Sequence, residues 1–215
     1  MEYQGQWLQD QYLDEFVFKN KNNGVFVEIG SADPVHFSNS YFLETYRNWS
    51  GLLIDARKGA CDNLISRKSK ILNVAIADSE SKSIFLEFGV LSGIAKFMDK
   101  HEYETIEKYT EDFSKVNAYW VNVRPLSSII KENSISIIDL LMIDTEGAEY
   151  AILQSSYESL TSVKILMTES NNDSNRNKVK TFLSNNNFVH LKQIGMDDVF
   201  LNLNYKNEFL HLFEN

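Results

Sequence analysis

The stretch GVFVEIGSADP, residues 24–34, decides the fold class of this chain. An apolar run closed by a glycine is typical of a buried parallel strand that leads into a tight turn. The pair Ser38-Asn39 can cap a helix over residues 41–46, and a second apolar strand follows at residues 51–55. Strand, helix and strand in this order predict the βαβ unit of a parallel sheet.

The rest of the chain continues this alternation. Hydrophobic periodicity predicts an N-terminal helix at residues 6–19, with an apolar face formed by Leu8, Tyr12, Leu13, Phe16 and Val17. Further strands are predicted at residues 70–77, 83–88, 118–123, 137–143, 163–169, 188–194 and 198–203, and further helices at residues 58–67, 126–132, 148–154 and 175–184. The expected fold is α/β, with a mostly parallel sheet of about seven strands, helices on both faces and a closing antiparallel hairpin. We expect one domain over residues 1–215, with an irregular insertion at residues 89–117.

Composition narrows the class of partner. The formal net charge of −9 and the pI of 5.0 disfavour nucleic acid and anionic membranes, which both need a concentrated positive field. The lone Cys61 cannot form an internal disulfide, and the sequence has neither a signal peptide nor an apolar run near 20 residues. We therefore expect a cytoplasmic protein without membrane insertion. A homo-oligomer, a complete enzyme and a domain of a larger polypeptide remain open.

Two strand ends predict a nucleoside site. Ligands of α/β sheets bind at the carboxyl ends of strands, where Gly30 permits a close turn and Asp55 follows 25 residues later. An acid at that spacing accepts hydrogen bonds from ribose hydroxyls, in NAD enzymes as well. The loop after Gly30 lacks the further glycines that admit a pyrophosphate and carries Asp33, which favours S-adenosylmethionine over NAD. Glu28 is then expected to bind the ammonium group of the methionine moiety. Taken alone, each residue also has an interpretation without a ligand: Gly30 can serve an ordinary turn, and Asp55 can be a solvated acid in a loop.

These residues, with several others, resemble the FkbM family of methyltransferases. The resemblance runs through residues 5–6, 8–16, 26–33, 38–44, 49–55, 73–76, 139–149 and 198–202. It implies a Rossmann-like class I methyltransferase fold, S-adenosylmethionine as methyl donor and a hydroxyl acceptor on a sugar or a secondary metabolite. The cofactor-binding residues expected from the resemblance and the strand ends are Glu28, Gly30, Ser31, Ser38, Asn39, Asp55, Ala56, Asn73, Ala75 and Asp144. The chain departs from the family pattern at Pro34 and His36.

Methyl transfer to an alcohol requires removal of a proton with a very high pKa. The predicted catalytic residues are Asp144, Glu146, Glu169 and His36. In a second interpretation, Asp144, Glu169 and Asn171 bind Mg²⁺ or Mn²⁺, in an arrangement similar to catechol-type O-methyltransferases, and the ion lowers the pKa of the hydroxyl. In a third, Glu146 and Glu149 complement the dipole of the helix that follows them.

The insertion and the acceptor leave further alternatives open. The insertion carries the aromatic residues Phe97, His101, Tyr103, Tyr109 and Phe113, which either form a lid that stacks on sugar rings or pack into a small core of their own. The leading hypothesis is an O-methyltransferase that acts on a carbohydrate acceptor, a sugar hydroxyl of a glycan or glycolipid. A macrolide-like metabolite as acceptor, or a non-catalytic scaffold with this fold, are the alternatives.

Overall fold

A computed structural model describes residues 2–89, 91–110 and 115–214. The strands of the larger sheet are β1 Val25–Ile29, β2 Ser50–Asp55, β3 Lys70–Asn73, β8 Ile138–Ile143, β9 Val163–Glu169, β10 Phe188–Ile194 and β11 Asp197–Asn202. Their order is β10-β11-β9-β8-β1-β2-β3. The five adjacent strands β9, β8, β1, β2 and β3 run parallel to one another, whereas β11 is antiparallel to both of its neighbours, β9 and β10. The predicted α/β sheet with its closing hairpin is confirmed, and its strand order reverses between β1 and β8.

Helices cover both faces of this sheet. They are α1 Gln9–Gln11, α2 Tyr41–Arg47, α3 Lys58–Leu64, α4 Lys100–Tyr109, α5 Leu126–Glu132, α6 Glu149–Ser155 and α7 Asp173–Asn185. Alternate residues of β1 enter different cores: Val27 packs with residues of α5, α6 and α7, and Phe26 packs with Leu13 and Leu43. None of the helices in the described ranges is both long and apolar enough to cross a membrane.

The prediction of one strand at residues 70–77 is wrong, because this stretch forms two strands and the second of them belongs to a separate, smaller sheet. Val74 N–H still donates to Asp55 O of β2 at 3.1 Å, after which the chain leaves the larger sheet and continues as β4 Ala75–Ile76. This strand pairs with β7 Asn117–Arg124, which pairs with β5 Ser81–Glu87, and β5 pairs with β6 Gly93–Ile94. The predicted strands at residues 83–88 and 118–123 therefore belong to this sheet. Phe85, Ile94 and Val121 belong to its core.

The N-terminal helix also differs from the prediction of a continuous amphipathic helix at residues 6–19. A single turn, α1, passes into a π-helix at Tyr12–Val17, in which Phe18 N–H donates to Leu13 O at 2.8 Å. The wider π turn brings residues four apart onto one face. Leu13 and Val17 are fully buried, whereas Leu8 and Phe16 of the predicted apolar face are exposed.

Candidate functional site

A cavity of about 380 Å³ opens at the carboxyl ends of β1, β2, β8 and β9. It collects most of the residues that the sequence predicts for cofactor binding and catalysis: Glu28, Gly30, Ser31, His36, Ser38, Asn39, Asp55, Ala56, Ala75, Asp144, Glu146, Glu169 and Asn171. Asn73 is the exception, since it does not line the cavity. Its amide instead donates to the carbonyls of Asp55 and Ala56 at 3.0 Å each, and so fixes the loop that follows β2.

The structure requires a glycine at residue 30 for a reason that the sequence does not reveal. Its φ is +87°, and a Cβ added there would lie 1.7 Å from the carbonyl oxygen of Asp144. Backbone hydrogen bonds join this point to both neighbouring strands, from Gly30 N to Ile54 O at 2.8 Å and from Asp144 N to Ile29 O at 2.9 Å. The glycine is therefore required for the close contact of strand ends around the cavity, before any ligand is considered.

Asp55, the predicted ribose-binding acid, is buried and fully hydrogen-bonded. Its carboxylate accepts from Ala32 N at 3.0 Å, from Arg57 N at 2.8 Å and from the Arg57 guanidinium at 2.9 and 3.1 Å. The same guanidinium donates to Gly89 O at 2.6 Å. A carboxylate offers about four acceptor positions. A further donor can therefore reach Asp55 only by displacing the Arg57 guanidinium. Arg57 was not identified from the sequence, although it is only two positions from Asp55.

Glu28 is part of a buried polar network that fixes the loop between β1 and α2. Its carboxylate accepts a short hydrogen bond from Ser40, whose hydroxyl accepts from Arg67 at 2.9 Å. Arg67 also pairs with Glu44 at 2.6 Å and donates to Pro34 O at 3.0 Å. Burial raises the pKa of Glu28, and the nearby Arg67 charge opposes that rise. Sequence reasoning missed Arg67 and Glu44, because they are 23 residues apart and only the fold pairs them.

Three carboxyl groups converge at the ends of β8 and β9. One oxygen each of Asp144, Glu146 and Glu169 lie within 4.8 Å of one another, and Asp144 and Glu169 share a hydrogen bond. Desolvation by the surrounding protein, followed by repulsion from Glu169, raises the pKa of Asp144 well above its usual value. Desolvation is also the main reason why the pKa of Glu169 rises to about 7 and that of Glu146 to about 9. Like charges held this close together cannot all ionise, so the cluster retains protons near neutral pH.

A fourth carboxyl group, Asp197 at the start of β11, lines the same cavity. Burial raises its pKa to about 6, and Gln9 donates a hydrogen bond to it. Asp197 lies opposite Glu169 in the antiparallel pairing of β11 with β9. No local sequence signal singles it out, since its role depends on that strand pairing.

Glu146 and Glu149 have different roles. One oxygen of Glu149 accepts from Thr145 N at 3.0 Å, Thr145 Oγ1 at 2.8 Å and Gly147 N at 3.1 Å, so it stabilises the loop at the start of α6. The helix-terminus interpretation therefore holds for Glu149. Glu146 has a φ of +53° and lines the cavity, where it accepts a short hydrogen bond from the Asn171 amide.

The oxygen atoms nearest to one another define a possible cation site that differs from the predicted one. Asp144 and Glu169 belong to both sets, but Glu146 replaces Asn171, whose amide N–H points at Glu146. Octahedral Mg²⁺ holds its ligands about 2.1 Å away and thus about 4.2 Å apart at most. Carboxyl oxygens that lie within 4.8 Å of one another are near this spacing, so Asp144, Glu146 and Glu169 could hold such an ion.

The insertion contributes to the cavity through its first residues and not through its aromatic side chains. Leu91, Ser92 and Ile94 line the cavity, whereas Phe97, His101, Tyr103 and Tyr109 do not. Gly147 approaches the Phe97 carbonyl so closely that an added Cβ would lie 2.6 Å from its oxygen. Phe113 lies outside the described residues. The insertion therefore covers the strand ends with backbone and apolar residues, and its side of the cavity offers no aromatic stacking surface in the ranges that the structure describes.

Comparison with known proteins identifies the family to which the chain belongs. The family model described as the methyltransferase FkbM domain matches residues 28–205. A crystal structure of methyltransferase FkbM from Methylobacillus flagellatus KT superposes with a TM-score of 0.52 at 11% identity, covering 84% of this chain and 43% of that one. This chain thus spans less than half the length of that relative. A search of curated proteins found no significant match.

Two further solved structures superpose less closely. A protein of the NADB-Rossmann superfamily from Streptococcus agalactiae has a TM-score of 0.41 at 14% identity, over 84% of this chain and 61% of the other. The methyltransferase domain of METTL16 has a TM-score of 0.47 at 11% identity, over 90% of this chain and 66% of the other.

Proposed function

The chain belongs to the FkbM methyltransferase family, and we propose that it transfers a methyl group from S-adenosylmethionine to a sugar hydroxyl of a glycan or glycolipid. One observation carries this proposal. A single cavity holds both the buried acid Asp55 and the hydrogen-bonded carboxyl pair of Asp144 and Glu169, at the ends of neighbouring strands. The first suits a nucleoside and the second suits proton transfer.

The strand order gives the cavity two ends. Asp55 on β2 and Glu169 on β9 are separated by β1 and β8, hence by three strand spacings or about 14 Å. Beside Asp55, the apolar side chains of Val74, Phe85 and Ile94 form a wall suited to a nucleobase. Toward β9 and β11 the lining is rich in carboxyl groups. We assign the nucleoside to the first end and the acceptor hydroxyl to the second.

The carboxyl pair supplies the base. S-adenosylmethionine provides a methyl group on a positively charged sulfur, which becomes neutral when the methyl leaves. The pair of Asp144 and Glu169 holds one shared proton and one negative charge near neutral pH, so its ionised oxygen can accept the hydroxyl proton as the new O–CH₃ bond forms. His36 lines the same cavity but stands outside the hydrogen-bonded carboxyl pair, and we rank it as the weaker candidate.

A divalent cation is an alternative source of hydroxyl activation at the same residues. Asp144, Glu146 and Glu169 would hold Mg²⁺ or Mn²⁺, and the ion would lower the pKa of the hydroxyl. We favour the metal-independent route, because Asp144 and Glu169 already share a hydrogen bond and so can hold and accept a proton without an ion. Turnover that survives EDTA supports this choice, and turnover restored only by added Mg²⁺ or Mn²⁺ reverses it.

A methyl-transfer assay tests the whole proposal. It compares a panel of oligosaccharides with a macrolide lactone as acceptor, because the carboxyl groups at the acceptor end suit a molecule rich in hydroxyls. If the protein methylates only the lactone, its acceptor is a macrolide-like metabolite and not a sugar. Absence of S-adenosylmethionine binding in a calorimetric titration would support a non-catalytic scaffold.

Replacing Asp55 tests the nucleoside end. We expect Asp55→Ala to raise the Kd for S-adenosylmethionine by about tenfold or more, because two charge-assisted hydrogen bonds to ribose are lost. Isothermal titration calorimetry measures this change. Asp62→Ala, an exposed acid on the neighbouring α3, is the control and should bind as wild type does. Equal affinities of the two variants would remove Asp55 from the cofactor site.

The carboxyl cluster also predicts a pH dependence of stability. Because folding raises the pKa of Glu169 to about 7 and that of Asp197 to about 6, the folded protein binds protons that the unfolded chain releases. Stability should therefore fall as the pH rises from about 4.5 to 7. Urea denaturation of the unliganded protein at a series of pH values measures this slope. Glu169→Gln should flatten it, and an unchanged slope in that variant would contradict the assignment.

A further inference from the structure

Two large aromatic side chains stand at the mouth of the cavity with most of their surface exposed. Trp7 is 53% exposed and Phe37 is 63% exposed, and both line the cavity. Phe37 also has a φ of +62°, a conformation that is unfavourable for a bulky residue and is often found at functional sites. Exposed rings that line a concave site are candidates for ligand contact.

Hydrogen bonds and packing hold Trp7 beside the end of the cavity that is rich in carboxyl groups. The side chain of Gln9 accepts from Trp7 N at 2.8 Å and donates to Asp197. The indole lies directly on Gly195, because a Cβ added to that glycine would be 2.3 Å from Trp7 Cδ1. Asp197 in turn lies opposite Glu169 in the sheet. The ring is therefore at the end of the cavity that we assign to the acceptor.

We propose that Trp7 and Phe37 form a subsite that binds the ring of a neutral saccharide acceptor, an inference that rests on the proposed function. One face of a pyranose carries C–H groups that pack on an aromatic ring, while its hydroxyls remain free for polar partners. Gln6, Asn171 and Asp197 line the cavity and can supply those partners.

The charge of the site selects against other acceptors. A uronic acid or a sugar phosphate would bring a negative charge toward Asp33 and Asp197, which also line the cavity, and like charges at short range are unfavourable. A largely apolar lactone would stack on the rings but displace water from the carboxyl groups without replacing the hydrogen bonds of that water, which is costly. A neutral saccharide can pack its C–H groups on the aromatic rings at the mouth and hydrogen-bond with the polar interior.

Tryptophan fluorescence tests binding without turnover. The chain has three tryptophans, of which Trp49 is buried and Trp120 is 67% exposed on β7, away from the cavity. In a Trp120→Phe background, Trp7 is the main solvent-exposed indole. We expect neutral methyl glycosides and disaccharides to shift or quench its emission and methyl glucuronide to have no effect. No response to any neutral saccharide up to its solubility limit overturns the proposal, and so does an equal response to the glucuronide.

Kinetics separate this subsite from the proposed function. With a saccharide that the protein methylates, we expect Trp7→Ala and Phe37→Ala each to raise the acceptor KM by about tenfold, with kcat within a factor of about two. Trp7→Phe should restore most of the loss, because a ring is retained. Trp120→Ala, the matched control, should behave as wild type.

The two failures look different. An unchanged acceptor KM in both cavity variants, with S-adenosylmethionine still bound and methyl transfer intact, refutes the aromatic subsite alone. Loss of S-adenosylmethionine binding in the wild-type protein, measured by calorimetry, refutes the proposed function instead. Equal losses in Trp7→Ala and Trp120→Ala would show a general effect of removing an indole and would also refute the subsite.

Discussion

Asp144→Asn is expected to lower kcat by about two to four orders of magnitude while leaving the fold intact, the range typical of a lost general base. The amide cannot take up and share a proton with Glu169, so the pair no longer acts as an acceptor. The backbone bond from Asp144 N to Ile29 O is independent of the side chain and should persist. Stability should rise, because the uncharged amide removes repulsion within the cluster.

A second substitution and a control sharpen this experiment. Because Asp144 and Glu169 act as a unit, Glu169→Gln should cost about as much as Asp144→Asn, and the double variant little more. Asp139→Asn changes a buried acid at the other end of β8, where Lys21 pairs with it at 2.7 Å. That control should lose stability and retain turnover. An Asp144→Asn protein with more than about a tenth of wild-type kcat would show that another group accepts the proton.

Gly30→Ala is expected to destabilise the protein by about 3 kcal/mol or more, the combined effect of a left-handed backbone for alanine and a steric overlap. The added Cβ would lie 1.7 Å from the carbonyl oxygen of Asp144. Backbone must therefore move, and the end of β8 that carries Asp144 moves with it. We expect cofactor affinity and turnover to fall together with stability.

Urea denaturation with Gly59→Ala as the matched control measures this effect. Gly59 lies in α3, and a Cβ added there meets nothing within 4 Å. Alanine at this helical position should be neutral or stabilising by about 0.5 kcal/mol. If Gly30→Ala were as stable as Gly59→Ala, the close contact between β1 and β8 would not constrain the sequence at residue 30.

The sequence predicted most of the large sheet, because strands buried on both faces are continuous apolar runs and their bounds are visible locally. The predicted bounds of β1, β2, β8 and β9 agree with the structure to within one residue at each end. The second sheet was not predicted, since the run at residues 70–77 looks uniform. The run divides after Val74 because Ala75 and Ile76 pair with Val123 and Arg124 of β7, which are far away in sequence.

The predicted site followed from the same logic. Residues at the carboxyl ends of parallel strands meet at one edge, so Gly30, Asp55, Asp144 and Glu169 were accessible to sequence reasoning. Asn73 was expected at the same edge, yet its side chain holds the loop after β2 and does not line the cavity. A strand end places a residue near a site without determining where its side chain points.

By itself, the sequence determined the order of strands and helices in the larger sheet, the family resemblance and the group of carboxyl residues at the strand ends, because each of these depends on residue type and local spacing. Only the tertiary structure decided which charges pair and which residues surround the acceptor end. Arg67 with Glu44, Gln9 with Asp197 and Trp7 on Gly195 join distant segments. Such contacts depend on how helices and strand ends pack in three dimensions, and no periodicity along the chain encodes them.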